Sequence, residues 1–222
     1  MSAATRAIQA DDSANPAMLW VKEGEALWRT QDSRSGKACI GCHAEASSSM
    51  RGVAARYPAF DAMLGRSLNL GQRIEWCRQK HQGSPPLPGE SLTSLEAYIA
   101  LQSRGMPIAP PSDARLASLR ARGQALFSLR MGQLDLSCAQ CHDANAGRSL
   151  GGSLIPQAHP TGYPLYRLEW QGMGSLQRRL RACMSGVRAQ PYDFNAEELL
   201  ALEAYLMQRA QGMAMDAPAV RP

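Results

Sequence analysis

The sequence predicts a mainly α-helical protein built from two tandem copies of one domain. Three observations predict this fold class: the motif Cys-x-x-Cys-His occurs at residues 39–43 and again at 138–142, the segments around the two motifs repeat, and strand patterns are nearly absent. A length of 222 residues leaves room for one or two domains of ordinary size. We therefore expect two small helical cores in one chain.

Composition narrows the class of protein. Hydrophobic residues make up 45% and charged residues 19%, which excludes a disordered or fibrous chain. No run of about 18 apolar residues occurs, so no membrane-spanning helix is expected. The net charge of +5 comes from scattered arginines rather than a basic stripe, which argues against nucleic-acid binding. Aromatic residues are only 6%, fewer than two all-protein cores would use, so we expect a cofactor in each half.

The first predicted helix of each copy ends just before its motif. Apolar residues recur at helical spacing over residues 17–30 and 113–128. Within them, residues 24–28 (Gly-Glu-Ala-Leu-Trp) match residues 123–127 (Gly-Gln-Ala-Leu-Phe), and this offset of 99 residues also separates the two motifs. The two helices are therefore predicted to be copies of one another.

The closing helix of each copy is predicted at residues 90–102 and 195–210, with Ser91 and Asn195 as candidate N-caps. Residues 95–98 (Leu-Glu-Ala-Tyr) recur at 202–205. Such repetition indicates a tandem duplication. The proline-rich stretch 107–112 lies between the copies and is typical of a linker, so we predict domains at residues 1–112 and 113–222.

The Cys-x-x-Cys-His motif is the attachment signature of c-type haem. Two thiols at this spacing can reach the two vinyl groups of one porphyrin, and the adjoining histidine can reach the iron. We therefore predict two covalently attached haem c groups. Their thioether bonds would form at Cys39 and Cys42 and at Cys138 and Cys141, with His43 and His142 on the irons. A redox-active dithiol or a zinc site is the alternative use of these cysteines. The order helix, motif, long loop and final helix is similar to that of class I cytochrome c domains.

The far side of each iron needs a second ligand, and a duplicated protein should supply it from corresponding positions. His81 and His159 have no counterparts, and Met106 and Met213 correspond but follow the last helix, which favours a packing role. Cys77 and Cys183 correspond at an offset of 106 residues and precede the closing helices. We predict that they are thiolate ligands, which lower the reduction potential. Two buried thiols, a disulfide between the halves, or Met184 acting in place of Cys183 are the alternatives.

Several further segments resemble one family. Residues 54–58 (Ala-Ala-Arg-Tyr-Pro), 103–108, 132–138 and above all 162–188, which includes Tyr-Arg-Leu-Glu-Trp-Gln at 166–171, are similar to the dihaem A subunits of the SoxAX cytochromes of bacterial sulfur oxidation. The resemblance runs from about Asn15 to Pro222.

This resemblance implies an activity and a set of site residues. The family is an L-cysteine S-thiosulfotransferase that couples thiosulfate to a cysteine of the SoxYZ carrier and passes two electrons to cytochrome c. The implied distal ligands are Cys77 for the first haem and Cys183 for the second, with Cys183 also catalytic and carrying an extra sulfur as a persulfide. A monohaem SoxX subunit and SoxYZ are the implied partners.

The residues themselves add an anion-binding candidate. Arg179 lies four residues before Cys183, on the same face of a helix, where a guanidinium can hold thiosulfate and lower the pKa of the thiol. Arg188 is a weaker choice. One alternative is a surface arginine. Another is an arginine that binds a haem propionate, because Arg73 occupies the equivalent place in the first half.

Two other functions remain open at this point. One is a plain dihaem electron carrier, and the other is a dihaem thiosulfate dehydrogenase that makes tetrathionate. No signal peptide is visible in the opening segment, which lacks an apolar stretch. Because haem is normally attached by thioether bonds outside the cytoplasmic membrane, we expect a processed, periplasmic chain.

Overall fold

Ten α-helices and seven short strands make up the computed structural model, which describes residues 1–222. The helices are α1 (Ala3–Ala10), α2 (Ala17–Arg29), α3 (Cys39–His43), α4 (Ala46–Ser49), α5 (Leu70–Cys77), α6 (Gly89–Leu101), α7 (Ala117–Ser128), α8 (Cys138–His142), α9 (Leu176–Gly186) and α10 (Glu197–Arg209). The strands are β1 (Ala59–Asp61), β2 (Arg66–Leu68), β3 (Ser149–Leu150), β4 (Ser153–Leu154), β5 (Leu165–Arg167), β6 (Gly172–Gly174) and β7 (Ala219–Arg221). No helix is long and apolar enough to cross a bilayer.

Each half is organised around one pair of long helices, α2 with α6 and α7 with α10. A glycine brings each pair close together: a Cβ atom at Gly24 would lie 2.1 Å from the Ser94 carbonyl oxygen, and one at Gly123 would lie 2.0 Å from that of Ala201. Only glycine allows this approach. We call α2–α6 with β1 and β2 the first lobe, and α7–α10 with β5 and β6 the second lobe.

The predicted helices are present, but their first residues differ from the prediction. Helix α6 begins at Gly89 after Pro88, and Ser91 lies inside it, where its hydroxyl donates to Glu23. Helix α10 begins at Glu197, because Asn195 has a left-handed φ of 66° and its backbone N–H donates to Gln177 Oε1. Neither Ser91 nor Asn195 is therefore an N-cap.

The strands were not predicted, because each has only two or three residues and no alternating pattern of that length is visible in a sequence. Strands β1 and β2 form one antiparallel hairpin and β3 and β4 another. Strand β5 pairs with β6 in antiparallel and with β7 in parallel orientation. The two- and three-stranded sheets hold the loops between the motif helices and α5 or α9.

The lobes meet at a junction formed by corresponding segments of the two copies. Residues 105–108 and 212–215 exchange four backbone hydrogen bonds of 2.8–2.9 Å, and the surrounding cluster is built from small and sulfur-containing side chains such as Ala100, Met207 and Met215. The final strand β7 then crosses back, so that Val220 and Tyr166 join the core of the first lobe. The domain boundary at residue 112 stays a prediction.

Two corresponding carboxyl groups lie between the lobes, beside a cavity of about 690 Å³. Glu203 is buried and accepts a hydrogen bond of 3.2 Å from Asn69 Nδ2 of the first lobe. Burial raises the pKa of Glu203 to about 7. Burial, together with the charge of Glu203, raises the pKa of Glu96 to about 8. The junction therefore holds these groups protonated at pH values where an exposed glutamate is ionised.

This junction predicts a pH-dependent stability. A raised pKa means that the unfolded chain loses its protons first, so stability falls as pH rises from about 4.5 to about 8, by roughly 1.4 kcal/mol per pH unit for each proton involved. Glu96→Gln should remove part of this slope and raise the melting temperature at pH 8 more than at pH 5. Thermal unfolding of the holoprotein at several pH values measures it.

Glu197→Gln, at an exposed position on α10, is the matched control and should keep the wild-type slope. Parallel curves for Glu96→Gln and wild type would contradict the assignment of the slope to this carboxyl pair.

Candidate functional site: two haem-attachment sites and a cationic cleft

Each Cys-x-x-Cys-His motif forms a single helical turn, α3 or α8, directly after the first long helix of its lobe. Helix α8 begins at the N-cap Ser137, which exchanges hydrogen bonds with Gln140 in a capping box. An aromatic residue of the preceding helix stands beside each histidine. The ring centroids are 5.7 Å apart for Trp28 and His43 and 6.4 Å apart for Phe127 and His142.

The second histidine is oriented by a hydrogen bond. His142 Nδ1 lies 2.7 Å from the Pro156 carbonyl oxygen. This contact places the proton on Nδ1 and leaves Nε2 as the lone-pair donor, which is the arrangement that histidine metal ligands use.

The two unassigned cysteines face the motif of their own lobe. Burial is the main cause that raises the pKa of Cys39, and the charge of Cys77 adds to it. Burial likewise raises the pKa of Cys138 to about 11, and the charge of Cys183 is the next cause. Cys77 and Cys183 therefore each lie close enough to a motif thiol of their own lobe for their charge to raise its pKa.

The donor set fits a covalently held haem in each lobe. All six cysteines are free, so four thiols are present for thioether bonds. No group of three or more His, Cys, Asp or Glu side chains is arranged to hold a bare metal ion, which disfavours a zinc site. One histidine and one cysteine per lobe are what an iron needs when the porphyrin supplies its other four ligands.

The alternatives to Cys183 as an iron ligand differ in their surroundings. Met184 is buried in the core of the second lobe with Phe127, Leu199, Leu202 and Leu206, and Cys138 packs against this cluster. Cys77 and Cys183 form no disulfide with one another.

The corresponding methionines and the unmatched histidines also have other surroundings. Met106 packs over Gly52, since a Cβ atom there would lie 3.1 Å from Met106 Cε, and Met213 is 40% exposed. His81 makes an edge-to-face contact with Trp76, and His159 lies near Arg209, whose charge lowers the pKa of His159 in addition to the effect of burial. The packing role expected for Met106 agrees with these contacts.

Helices α5 and α9 carry Cys77 and Cys183, and their N-caps are Asn69 and Ser175. In the first lobe, Arg73 forms an ion pair with Asp61 and lies 5.1 Å above the ring of Trp76. Burial raises the pKa of Cys77, and the charge and hydrogen bond of Arg73 oppose this rise. The first cleft therefore contains a cation whose charge is already balanced.

In the second lobe, Arg179 has no ion-pair partner and no side-chain hydrogen bond, and its neighbours are turned away. Arg178 lies 4.2 Å above the ring of Trp170 and donates to the Met173 carbonyl oxygen, while Arg181 lies over Phe194 and donates to the Tyr192 carbonyl oxygen. Of the three arginines near Cys183, Arg179 is thus the one with a free guanidinium. Arg188, the weaker candidate, is exposed and has a left-handed φ of 57°.

Tyr163 completes the group around Cys183. Burial raises its pKa to about 12, and the charges of Arg179, Cys183 and Arg167 all reach it. The hydroxyl is therefore a neutral donor at ordinary pH. Tyr163 and Arg167 were not predicted as site residues. For Tyr163 a signal was present, because Tyr57-Pro58 and Tyr163-Pro164 repeat at the same offset of 106 residues as Cys77 and Cys183.

Known proteins share this architecture. The sequence model of the family described as "SoxA/TsdA, cytochrome c domain" matches residues 23–108 and 122–215. The chain belongs to the SoxA/TsdA cytochrome c family. It therefore contains two cytochrome c domains with covalently bound haem c, as the two motifs predict. The domain boundary at residue 112 falls between the two matched ranges.

Relatives within the family are named L-cysteine S-thiosulfotransferase subunit SoxA. The protein of Pseudaminobacter salicylatoxidans is 37% identical over 99% of this chain and 78% of its own length. That of Rhodovulum sulfidophilum is 33% identical over 98% of this chain and 76% of its own. A chain in the crystal structure of SoxXA from P. pantotrophus superposes with a TM-score of 0.95 at 30% identity, covering 100% of this chain and 84% of that one.

The placement of Cys183 and Met184 predicts a spectroscopic difference between neighbouring substitutions. Met184→Leu should leave the absorption and electron paramagnetic resonance spectra of both haems unchanged, because Met184 lies in the core, and a volume-conserving change there costs less than about 1.5 kcal/mol. Cys183→Ala should change the signal of one haem, because it removes the proposed sulfur ligand.

Cys77→Ala is the matched control and should change the signal of the other haem. A spectrum altered by Met184→Leu but not by Cys183→Ala would show that methionine is the ligand in the second lobe.

Proposed function

We propose that this chain is the catalytic subunit of an L-cysteine S-thiosulfotransferase, which couples thiosulfate to a cysteine of the SoxYZ carrier. The observation that carries the proposal is the free guanidinium of Arg179 in the cleft of Cys183, while the corresponding Arg73 is paired with Asp61. A free cation beside a sulfur nucleophile is what an anionic sulfur substrate requires. The names of the relatives support the same activity.

The cofactor positions follow from the motifs. We assign the thioether bonds to Cys39 and Cys42 and to Cys138 and Cys141, and the iron ligands to His43 with Cys77 and His142 with Cys183. When bound, the haem in the second lobe supplies a one-electron acceptor next to the reacting sulfur. The ring of Phe127 and the hydrogen bond from His142 Nδ1 to the Pro156 carbonyl oxygen would orient His142 as a ligand.

Three residues of the second lobe bind thiosulfate and transfer it to the carrier. Arg179 binds the sulfonate end of thiosulfate and directs its outer sulfur toward Cys183. A sulfur–sulfur bond forms between Cys183, directly or through its own extra sulfur as a persulfide, and the outer sulfur of thiosulfate, and the two electrons released go to cytochrome c. The carrier thiolate then attacks that outer sulfur and displaces the Cys183 sulfur as the leaving group. Tyr163 offers an uncharged hydrogen-bond donor to the same group.

The overall reaction balances as follows. A sulfur–sulfur bond forms between the carrier cysteine and the outer sulfur of thiosulfate, the carrier thiol loses its proton, and two electrons leave to cytochrome c. The product is a cysteine S-thiosulfonate, and Cys183 returns to its starting state. The thiosulfate therefore remains intact while its outer sulfur is oxidised.

The partners and compartment belong to the same proposal. A monohaem SoxX subunit is supported by the close structural match to a SoxXA chain. A periplasmic location is supported by covalent haem attachment, which normally takes place outside the cytoplasmic membrane. SoxYZ and thiosulfate are supported by the activity in the relatives' names.

Arg179→Gln tests the function directly. Removing one charge-assisted contact, worth about 1.5–3 kcal/mol, should lower kcat/KM for thiosulfate by about 10- to 100-fold, while the haem spectra stay unchanged. The measurement is formation of the thiosulfonate on the carrier, followed by mass spectrometry, with cytochrome c as electron acceptor.

Arg188→Gln is the matched control and should retain most of the activity, because its side chain is exposed on the following turn. Tetrathionate produced without the carrier would instead identify a thiosulfate dehydrogenase. Full turnover of Cys183→Ala would identify a plain electron carrier.

A further inference from the structure

The hairpin and helix that precede each closing helix repeat position by position. Strands β1 and β2 pair Ala59 with Leu68 and Asp61 with Arg66. Strands β5 and β6 pair Leu165 with Gly174 and Arg167 with Gly172, which are the same positions 106 residues later. The N-caps and the cysteines of α5 and α9 have this offset too. The two clefts are therefore built on one backbone frame.

On this frame one charge is inverted. Arg73 corresponds to Arg179, but Asp61 corresponds to Arg167. In the first lobe, the Asp61 carboxylate and the Arg73 guanidinium are in direct contact, and the side chain of Asp61 is only 10% exposed. The same register in the second lobe brings two guanidinium groups toward one another where the first lobe has an ion pair.

Arg167 lies 5.2 Å from the centroid of the Trp170 ring, which Arg178 also covers at 4.2 Å, and part of the Arg167 guanidinium is unused. Its side chain is 13% exposed, and its Nε atom is buried without a hydrogen-bond partner. Its one acidic contact is Glu169, whose Oε2 atom lies 2.7 Å from Arg167 Nη2 and whose side chain is 53% exposed. An ion pair with so exposed an acid contributes little, because water screens it.

Arg167 and Arg179 act on the same neighbours. The hydrogen bond from Arg167 is the main cause that lowers the pKa of Glu169, and the charge of Arg179 adds to it. The charges of both guanidinium groups, of Cys183 and of Arg221 also act on the Tyr163 hydroxyl. Arg167, Arg179 and Cys183 therefore lie around one tyrosine, and an anion between the two cations would remove their repulsion.

We propose that Arg167 is a second anion-binding residue, which together with Arg179 selects a doubly charged sulfur oxyanion at Cys183, and that Asp61 closes the equivalent cleft at Cys77. This inference rests on the proposed function and adds the charge class of the substrate to it. Two guanidinium forks match the two charges of thiosulfate, whereas a monoanion or a neutral thiol leaves one cation uncompensated. The first cleft, with Asp61 in place of the second arginine, offers no net cation to such a ligand.

Substitutions at residue 167 test the inference through thiosulfate binding to the holoprotein, measured by calorimetry. Arg167→Gln should weaken binding about 10-fold or more, as expected for the loss of one charge-assisted contact. Arg167→Asp should weaken it further, because the new carboxylate pairs with Arg179 as Asp61 pairs with Arg73. Arg167→Lys should restore part of the affinity, because it keeps the charge but not the fork.

Arg66→Gln removes one exposed, unpaired arginine from the hairpin of the first lobe and should bind thiosulfate like the wild type. The haem spectra serve as the folding control for every variant. In steady state, Arg167→Gln should raise KM for thiosulfate with kcat changed by less than about threefold, because the contact is made to the bound ligand as well as in the reaction.

Unchanged affinity in Arg167→Gln, or equal losses in Arg167→Gln and Arg167→Asp, would overturn the inference. The proposed function fails separately: a wild-type protein that binds thiosulfate in an Arg167-dependent manner but transfers none of it to the carrier would retain the anion site and contradict the thiosulfotransferase activity.

Discussion

Each lobe depends on one constraint: a cysteine of α5 or α9 must lie near a thiol of the haem-attachment motif, Cys77 near Cys39 and Cys183 near Cys138. In the proposed sites, Cys77 or Cys183 on a capped helix and the histidine of the motif helix would hold one haem. The glycine contacts hold α2 against α6 and α7 against α10, and a short hairpin precedes α5 and α9. The first helix and the motif recur at an offset of 99 residues, and the hairpin, the cysteine and the closing helix recur at 106 or 107, so the duplication preserved these parts and not merely the motif.

The two lobes differ in charge on this common geometry. The first lobe balances Arg73 with Asp61, so its cleft contains a cysteine beside a neutral ion pair. The second lobe leaves Arg179 free and puts Arg167 at the position of Asp61, so its cleft is cationic. The unbalanced cation of the second cleft attracts anions toward the cysteine, whereas the closed ion pair of the first cleft does not. We propose that this difference in charge makes the second site reactive and leaves the first site structural.

Much of this architecture could be predicted from residues alone, because the motifs and the helical periodicity are local. The ends of α6 and α10 could not, since Pro88 and the left-handed Asn195 decide them through backbone geometry. The small strands escaped prediction because two or three residues show no period. Arg179 could be chosen by helical spacing, but separating it from Arg178 and Arg181 required the aromatic rings that those two cover. Arg167 could be chosen as a candidate site residue only from the strand register of β5 and β6, which aligns it with Asp61 of β1.

We propose that Cys183 is the reactive sulfur and Cys77 an unreactive one, and a haem is attached in each lobe. The most direct measurement is the mass of the intact native protein combined with a peptide map made without reduction. We predict the mass of two haems on the motif cysteines and the mass of one additional sulfur atom on the peptide of Cys183, with none on that of Cys77. A protein with fewer than two haems, or with the extra sulfur on Cys77 rather than Cys183, would contradict the account.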